Sequence, residues 1–161
     1  MDSDKNIAEY FKKCFFSVDG LWFLKTEDDA SFEKALDIDA AVWEVLPKIQ
    51  ARTIKKLLGL KEDMISLQKA LDFKLDAEGY HYEKTACNQK SFNVSIKNCP
   101  WVNHLEKSNR LELVPQIADK ICHLEYSTFA KEFGDELIVR HEHKDCDKSH
   151  CCMFYFEIDK L

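Results

Sequence analysis

The stretch Gly79-Tyr80-His81-Tyr82-Glu83-Lys84-Thr85-Ala86-Cys87-Asn88-Gln89-Lys90-Ser91-Phe92-Asn93-Val94-Ser95-Ile96 decides the fold, because the apolar period changes within it. Tyr80 and Tyr82, then Phe92, Val94 and Ile96, fall at every second position, the spacing of a strand with one face on a core. Asn88 and Gln89 between the two runs predict the tip of a hairpin.

Upstream of Gly79 the spacing is three and four. Ile7, Tyr10, Phe11, Cys14 and Phe15 predict one face of an amphipathic helix behind a Ser3/Asp4 cap. Ser17 and Asp19 read as a second cap ahead of Leu21-Trp22-Phe23-Leu24. Asp37 or Asp39 reads as a third, ahead of Ala41, Val42, Val45, Leu46, Ile49, Ile54, Leu57 and Leu58. Pro47 predicts a kink or division near Leu46, because its ring blocks the hydrogen bond to the preceding turn. Gly59 is a stop signal, and Met64, Leu67, Leu71 and Leu75 predict a helix that ends before Gly79.

Downstream, Pro100 opens a short helical segment through Trp101 and Leu105. Pro115 sits as an N1 proline ahead of Ile117, Ile121, Leu124, Phe129 and Phe133, and Gly134 ends that helix. Strand character returns in Leu137 to His143 and in Cys152 to Ile158. The expectation is a single α+β domain over residues 1–161, its helical N-terminal half packed on a mainly antiparallel sheet formed by the C-terminal half.

Composition narrows the function classes. With 161 residues, 45% hydrophobic, 32% charged and only 4 Gly and 3 Pro, the chain is long enough for one core and unlike a disordered or collagen-like sequence. A net charge of −6 lacks the basic footprint that releases counterions from nucleic acid, so no nucleic-acid partner is expected. The charged N-terminus carries no apolar run ahead of a cleavage site, and no apolar stretch approaches a membrane span, so the expected location is the cytoplasm, without a membrane partner. The 7 cysteines then belong in a reducing compartment as core residues, metal ligands or reactive groups. The partner expected is a small-molecule ligand or substrate, and a homodimer is compatible with the composition.

The densest chemistry lies in residues 141–152, where His141, His143, Cys146, His150, Cys151 and Cys152 gather imidazoles and thiols. In an extended segment His141 and His143 share a face, and the following loop can fold Cys146 towards His150 or Cys151. This donor set suits tetrahedral zinc, with Cys99 and Cys122 as candidate ligands from elsewhere in the fold. The competing reading makes Cys152 a core residue beside Phe154 and Phe156, and the histidines solvent-facing. Cys14 reads as core, and Cys87 has no identifiable partner.

A second constellation is Cys99-Pro100-Trp101, with His104 one turn on. A thiol at a strand-to-helix junction faces amides that favour thiolate, so Cys99 is a candidate nucleophile, with His104 or a tail histidine as base and Glu125 as the orienting or acidic group. Asp19-Gly20-Leu21-Trp22-Phe23 and the following Glu27 read locally as a cap, a relaxed helix start, two packing aromatics and a solvated glutamate.

Together, the Asp19–Phe23 segment with Glu27, the Ala35–Trp43 helix, Cys99-Pro100-Trp101, Ile121-Cys122-His123-Leu124-Glu125-Tyr126 and the cysteine-bearing last strand resemble the L-2-amino-thiazoline-4-carboxylate hydrolase-like family, in particular its uncharacterised members. The resemblance implies a fold related to 4-vinyl-reductase-type small-molecule-binding domains. It also implies a hydrolase that opens a carbon–nitrogen bond in a small sulfur- and nitrogen-containing ring. Family members carry cysteines corresponding to Cys99 and to the Cys146/Cys151 region, whereas Gln116 stands here where close relatives would place another cysteine.

Overall fold

The computed structural model describes residues 3–143 and 152–159. Helix α1 runs unbroken over Ser3–Asp29, and α2 (Phe32–Trp43), α3 (Leu46–Leu58) and α4 (Met64–Glu78) follow. The hairpin β1 (His81–Thr85) and β2 (Ser91–Asn98) leads into α5 (Pro100–Lys107). A 3₁₀ turn (Leu111–Leu113), the short α6 (Val114–Ile117), a π-helical turn (Ala118–Cys122) and α7 (His123–Lys131) precede β3 (Leu137–His143) and β4 (Cys152–Ile158). The architecture is α+β, and strands appear only beyond Gly79.

Local chemistry explains the punctuation. The Ser31 side chain caps α2 by accepting from the Lys34 amide at 3.2 Å, and Asp63 caps α4 by accepting from the Ser66 amide at 2.7 Å. Gly59 and Gly79 close α3 and α4 in the left-handed region, at φ 63° and 83°. Pro47 lies in the first turn of α3, where its missing N–H costs nothing, so it divides two helices as its ring predicts.

The sheet order is β1-β2-β4-β3, every pair antiparallel. Phe92 on β2 sits opposite Phe156 on β4, their rings stacked with centroids 4.5 Å apart. The inner face of the sheet buries Phe92, Val94, Ile96, Phe154 and Phe156 against Leu67, Leu71 and Leu75 of α4 and Tyr126 and Phe129 of α7. A smaller cluster of Leu36, Trp43 and Ile121, with Phe15, Phe23 and Trp101 packed on it, joins α1 and α2 to the segment around the π-helical turn.

Three local expectations are corrected. Asp19 does not start a second helix: α1 continues through it, and the segment stays helical across Gly20. Asp37 and Asp39 are not caps either, because Ser31 starts α2 earlier and leaves both inside it. The face of α1 that packs inward carries Phe16, which is buried, whereas Ile7, Tyr10 and Phe11 stay exposed. A stripe read from spacing alone was therefore rotated by about one position, since each residue turns the helix by roughly 100°.

Candidate functional site

The smaller cluster borders an apolar cavity of about 420 Å³ between the helical layer and one end of the sheet. Phe16 and Phe23 come from α1, Trp43 from α2, Tyr80 from the start of the hairpin, Trp101 from α5, and Ala118 and Ile121 from the π-helical turn. Trp101 is the hub of this wall. Its ring centroid lies 4.4 Å from Phe16 and 5.9 Å from both Phe15 and Trp43, in edge-to-face arrangements with ring planes 65–87° apart. The volume falls within the range of small-molecule sites.

Polar groups enter the cavity from separate elements: Asp19 from α1, Asp39 from α2, Cys99 from the junction of β2 and α5, Cys122 from the π-helical turn and Glu125 from α7. The π-helical turn holds one residue more than an α-helical turn, and such insertions recur at functional sites. Here it brings Ala118, Ile121 and Cys122 onto the cavity while α7 goes on to present Glu125.

Cys99 is half-buried because it opens onto the cavity, yet it sits deep in the protein. Burial pushes its thiol up to about 11, against the opposing influence of the Val102 and Trp101 amides and the Tyr80 hydroxyl. Those amides lie at the N-terminus of α5 without closing a full capping hydrogen bond to the thiol. His104 lines the same cavity, its ring stacked on Phe16 at 5.1 Å, and burial holds it below the ordinary histidine value. Burial thus favours the neutral thiol at Cys99 and the neutral imidazole at His104, both on the cavity wall.

Burial also raises Asp19 to about 6 and Asp39 to about 7. The Asp19 charge adds to the rise at Asp39, and hydrogen bonding from the Trp43 side chain opposes it. Behind them, Lys74 Nζ contacts Glu78 Oε1 and Oε2 at 2.9 and 2.8 Å and Glu125 Oε1 at 2.6 Å, all in the buried interior. Burial pulls the lysine pKa down, but the two carboxylates outweigh it and the ammonium persists. Glu125 is raised, first by burial and further by Glu78, against the pull of Lys74.

Sequence reasoning missed Lys74, which lies one helical turn before Glu78 and pairs with it in the buried interior. It also missed the roles of Asp19, Asp39 and Glu27. Glu27 is half-buried and accepts from Arg110 at 2.6 Å, and Arg110 itself borders the cavity. Of the DGLWF aromatics, Phe23 packs on Phe32 at 5.7 Å, but Trp22 is 72% exposed.

The expected metal residues are placed as follows. Cys99 and Cys122 share the cavity wall. His141, on β3, stacks on Phe154 with centroids 4.5 Å apart. His143 ends β3 opposite Cys152 of β4. Cys152 packs against the main core, in line with the core reading of that thiol. Cys146, His150 and Cys151 lie outside the described residues. Among the described residues, no group of three or more His, Cys, Asp or Glu side chains is placed to hold a metal ion, and no helix is long and apolar enough to cross a membrane. Cys14 is half-buried on α1, and Cys87 is exposed near the hairpin turn, its thiol 3.8 Å from the Thr85 carbonyl.

A protein-family model described as a family of unknown function (DUF6125) matches residues 2–158. No curated protein and no solved structure matches the chain.

Proposed function

For a chain that belongs to the DUF6125 family of unknown function, we propose that the domain binds a small organic molecule in the aromatic cavity enclosed by α1, α2, α5 and the segment from the 3₁₀ turn to α7. The observation that carries this reading is the cavity itself: about 420 Å³ of apolar space, walled by Phe16, Trp43, Tyr80 and Trp101 and supplied with a few convergent polar groups.

Gly20 offers the test. It lies inside α1 on the cavity wall, and a Cβ built there meets nothing within 4 Å. A Gly20→Leu side chain fills open space with a residue of good helix propensity, so the fold should survive while the cavity closes. Titration with indole, followed by isothermal titration calorimetry and thermal denaturation, should saturate at one site in the wild type and fail in Gly20→Leu. Absence of binding in the wild type, or equal binding in the filled variant, would overturn the reading.

The catalytic extension is a hydrolase that opens a carbon–nitrogen bond in a small heterocycle, with Cys99 as nucleophile and Glu125 moving the proton. Its support is that both residues border one cavity. The thiolate, not the thiol, is the nucleophile, and Cys99 is pushed up to about 11, so binding is better supported than turnover. A ligand sensor without turnover uses the same cavity. Zinc at His141, His143, Cys146, His150 and Cys151, completed by Cys99 or Cys122, rests on ligand type and sequence proximity, and elemental analysis of protein never exposed to chelator is its test.

A further inference from the structure

The carboxylates of the cavity lack a matching set of cations. Asp19, Asp39 and Glu125 reach it from three different helices, so no local feature of one helix explains their meeting. The cations nearby are committed elsewhere. Arg110 is engaged by Glu27 at 2.6 Å, and Lys74 is shared between Glu78 and Glu125, which leaves that buried trio with an excess negative charge. His104 is held below its ordinary value, so it supplies no charge at neutral pH. Glu125 is only 3% exposed, and a single one of its oxygens, Oε1, accepts from Lys74. Among the described residues neither Asp19 nor Asp39 forms an ion pair, although the Trp43 side chain hydrogen-bonds Asp39.

Two features of the wall point the same way. Unpaired carboxylates beside apolar surface are costly to charge, and a ligand that brings a positive charge removes that cost. Trp43, Trp101, Tyr80 and Phe16 line the same wall, and aromatic rings attract an organic cation as well as its carbon body. An anion would meet charge of its own sign. A hard divalent ion needs six or more oxygen ligands, and the described residues assemble no metal-holding group.

We infer that the cavity selects an organic monocation, a compact aromatic or branched aliphatic body ending in a protonated amine or amidine, with the cationic head held by Asp19, Asp39 and Glu125. The inference rests on the reading of the cavity as a ligand site and names the class of ligand it takes. The carboxyls of Asp19 and Asp39, raised to about 6 and 7, would be drawn down by the cation, so binding releases protons and tightens as pH rises. The groups that set Asp39 are Asp19 on α1, Trp43 on its own helix and Glu125 on α7, with His104 and the Arg110–Glu27 pair elsewhere on the wall.

Three probes share one body and differ in the head: phenethylamine, phenethyl alcohol and phenylpropanoate. Binding to the full chain is read by tryptophan fluorescence and thermal shift at about pH 8 and about pH 5, either side of the raised carboxyls. The amine should bind about tenfold tighter than the alcohol at the higher pH, the acid should bind weakest, and the amine's advantage should shrink at the lower pH. Asp39→Asn and Asp19→Asn should each cut the amine-to-alcohol ratio while the folded circular dichroism stays unchanged. The inference is overturned if the alcohol or the acid binds as tightly as the amine, or if the amine's advantage survives in the double Asn variant. If none of the three binds, the ligand-site reading itself falls, and amine binding that persists in Gly20→Leu would place the cation outside the cavity.

Discussion

Lys74 Nζ lies 2.6 Å from Glu125 Oε1, joining α4 under the sheet to α7 through an ion pair whose side chains are 1% and 4% exposed. Glu78, one turn along α4, takes the other side of the ammonium at 2.8 Å. Two carboxylates on one buried lysine orient Glu125 at the cavity, and removing the lysine would leave both acids buried without a counter-charge.

Lys74→Met should therefore destabilise the fold by about 3–5 kcal/mol, the usual cost of breaking a buried pair from one side. Adding Glu125→Gln and Glu78→Gln should recover part of the loss, because the remaining groups are then neutral. Urea denaturation of the three variants measures this, and a loss below about 1 kcal/mol for Lys74→Met would argue that the trio is solvated in solution.

Gly20→Ala should raise stability by about 0.5–1 kcal/mol. Gly20 sits inside α1 at an ordinary helical position with open space at its Cβ, so alanine gains helix propensity and meets no clash. A shift in the denaturant midpoint at unchanged slope is the readout, and a lower midpoint would mean that the glycine serves a backbone need.

Asp19 and Asp39 should make the ligand-free protein lose stability between about pH 4 and about pH 7. Both have folded values above the ordinary aspartate value of 3.8, so across that window the native state holds protons that the unfolded chain has released. Stability from these groups is present in full at the acid end and is lost as pH rises through the folded values, at no more than about 1.4 kcal/mol per pH unit per group. Half-buried acids held low, such as Glu132 beside Arg52, act in the opposite sense at lower pH. The comparison of wild type with Asp39→Asn isolates the effect: the variant should show the shallower decline, and parallel curves would remove Asp39 from the account.

Cys99 should react slowly with iodoacetamide at neutral pH, and Cys87 quickly. Cys87 is exposed, whereas Cys99 is deep and its thiol is pushed up to about 11. Peptide mass spectrometry over a time course ranks them. Labelling of Cys99 as fast as Cys87 would show a thiolate at the cavity and favour the catalytic extension over simple binding.

The order of elements was legible because it depends on local rules. The spacing change at Gly79, the Asn88-Gln89 turn, the stops at Gly59 and Gly79 and the division at Pro47 each act over a few residues, and the structure places each where expected. Helix phase and cap position depend on packing as well as on local rules. Serine, threonine and aspartate all suit a cap, and only the length over which α1 and α2 pack decides that Asp19 and Asp39 lie inside helices.

Sequence alone thus determined that this chain forms helices first and an antiparallel sheet afterwards, and it marked Cys99, Cys122 and Glu125 as chemically interesting. What only the tertiary structure decided is that these three meet Asp19 and Asp39 around one cavity, and that Lys74 lies beneath them. The physical reason is distance along the chain: hydrogen bonds and caps act between near neighbours, whereas electrostatic perturbation of Asp39 by Asp19 and Glu125 requires α1, α2 and α7 to be packed together. A carboxylate at a helix start and one pointing into a cavity have the same neighbours in sequence, and burial distinguishes them only once the helices are docked.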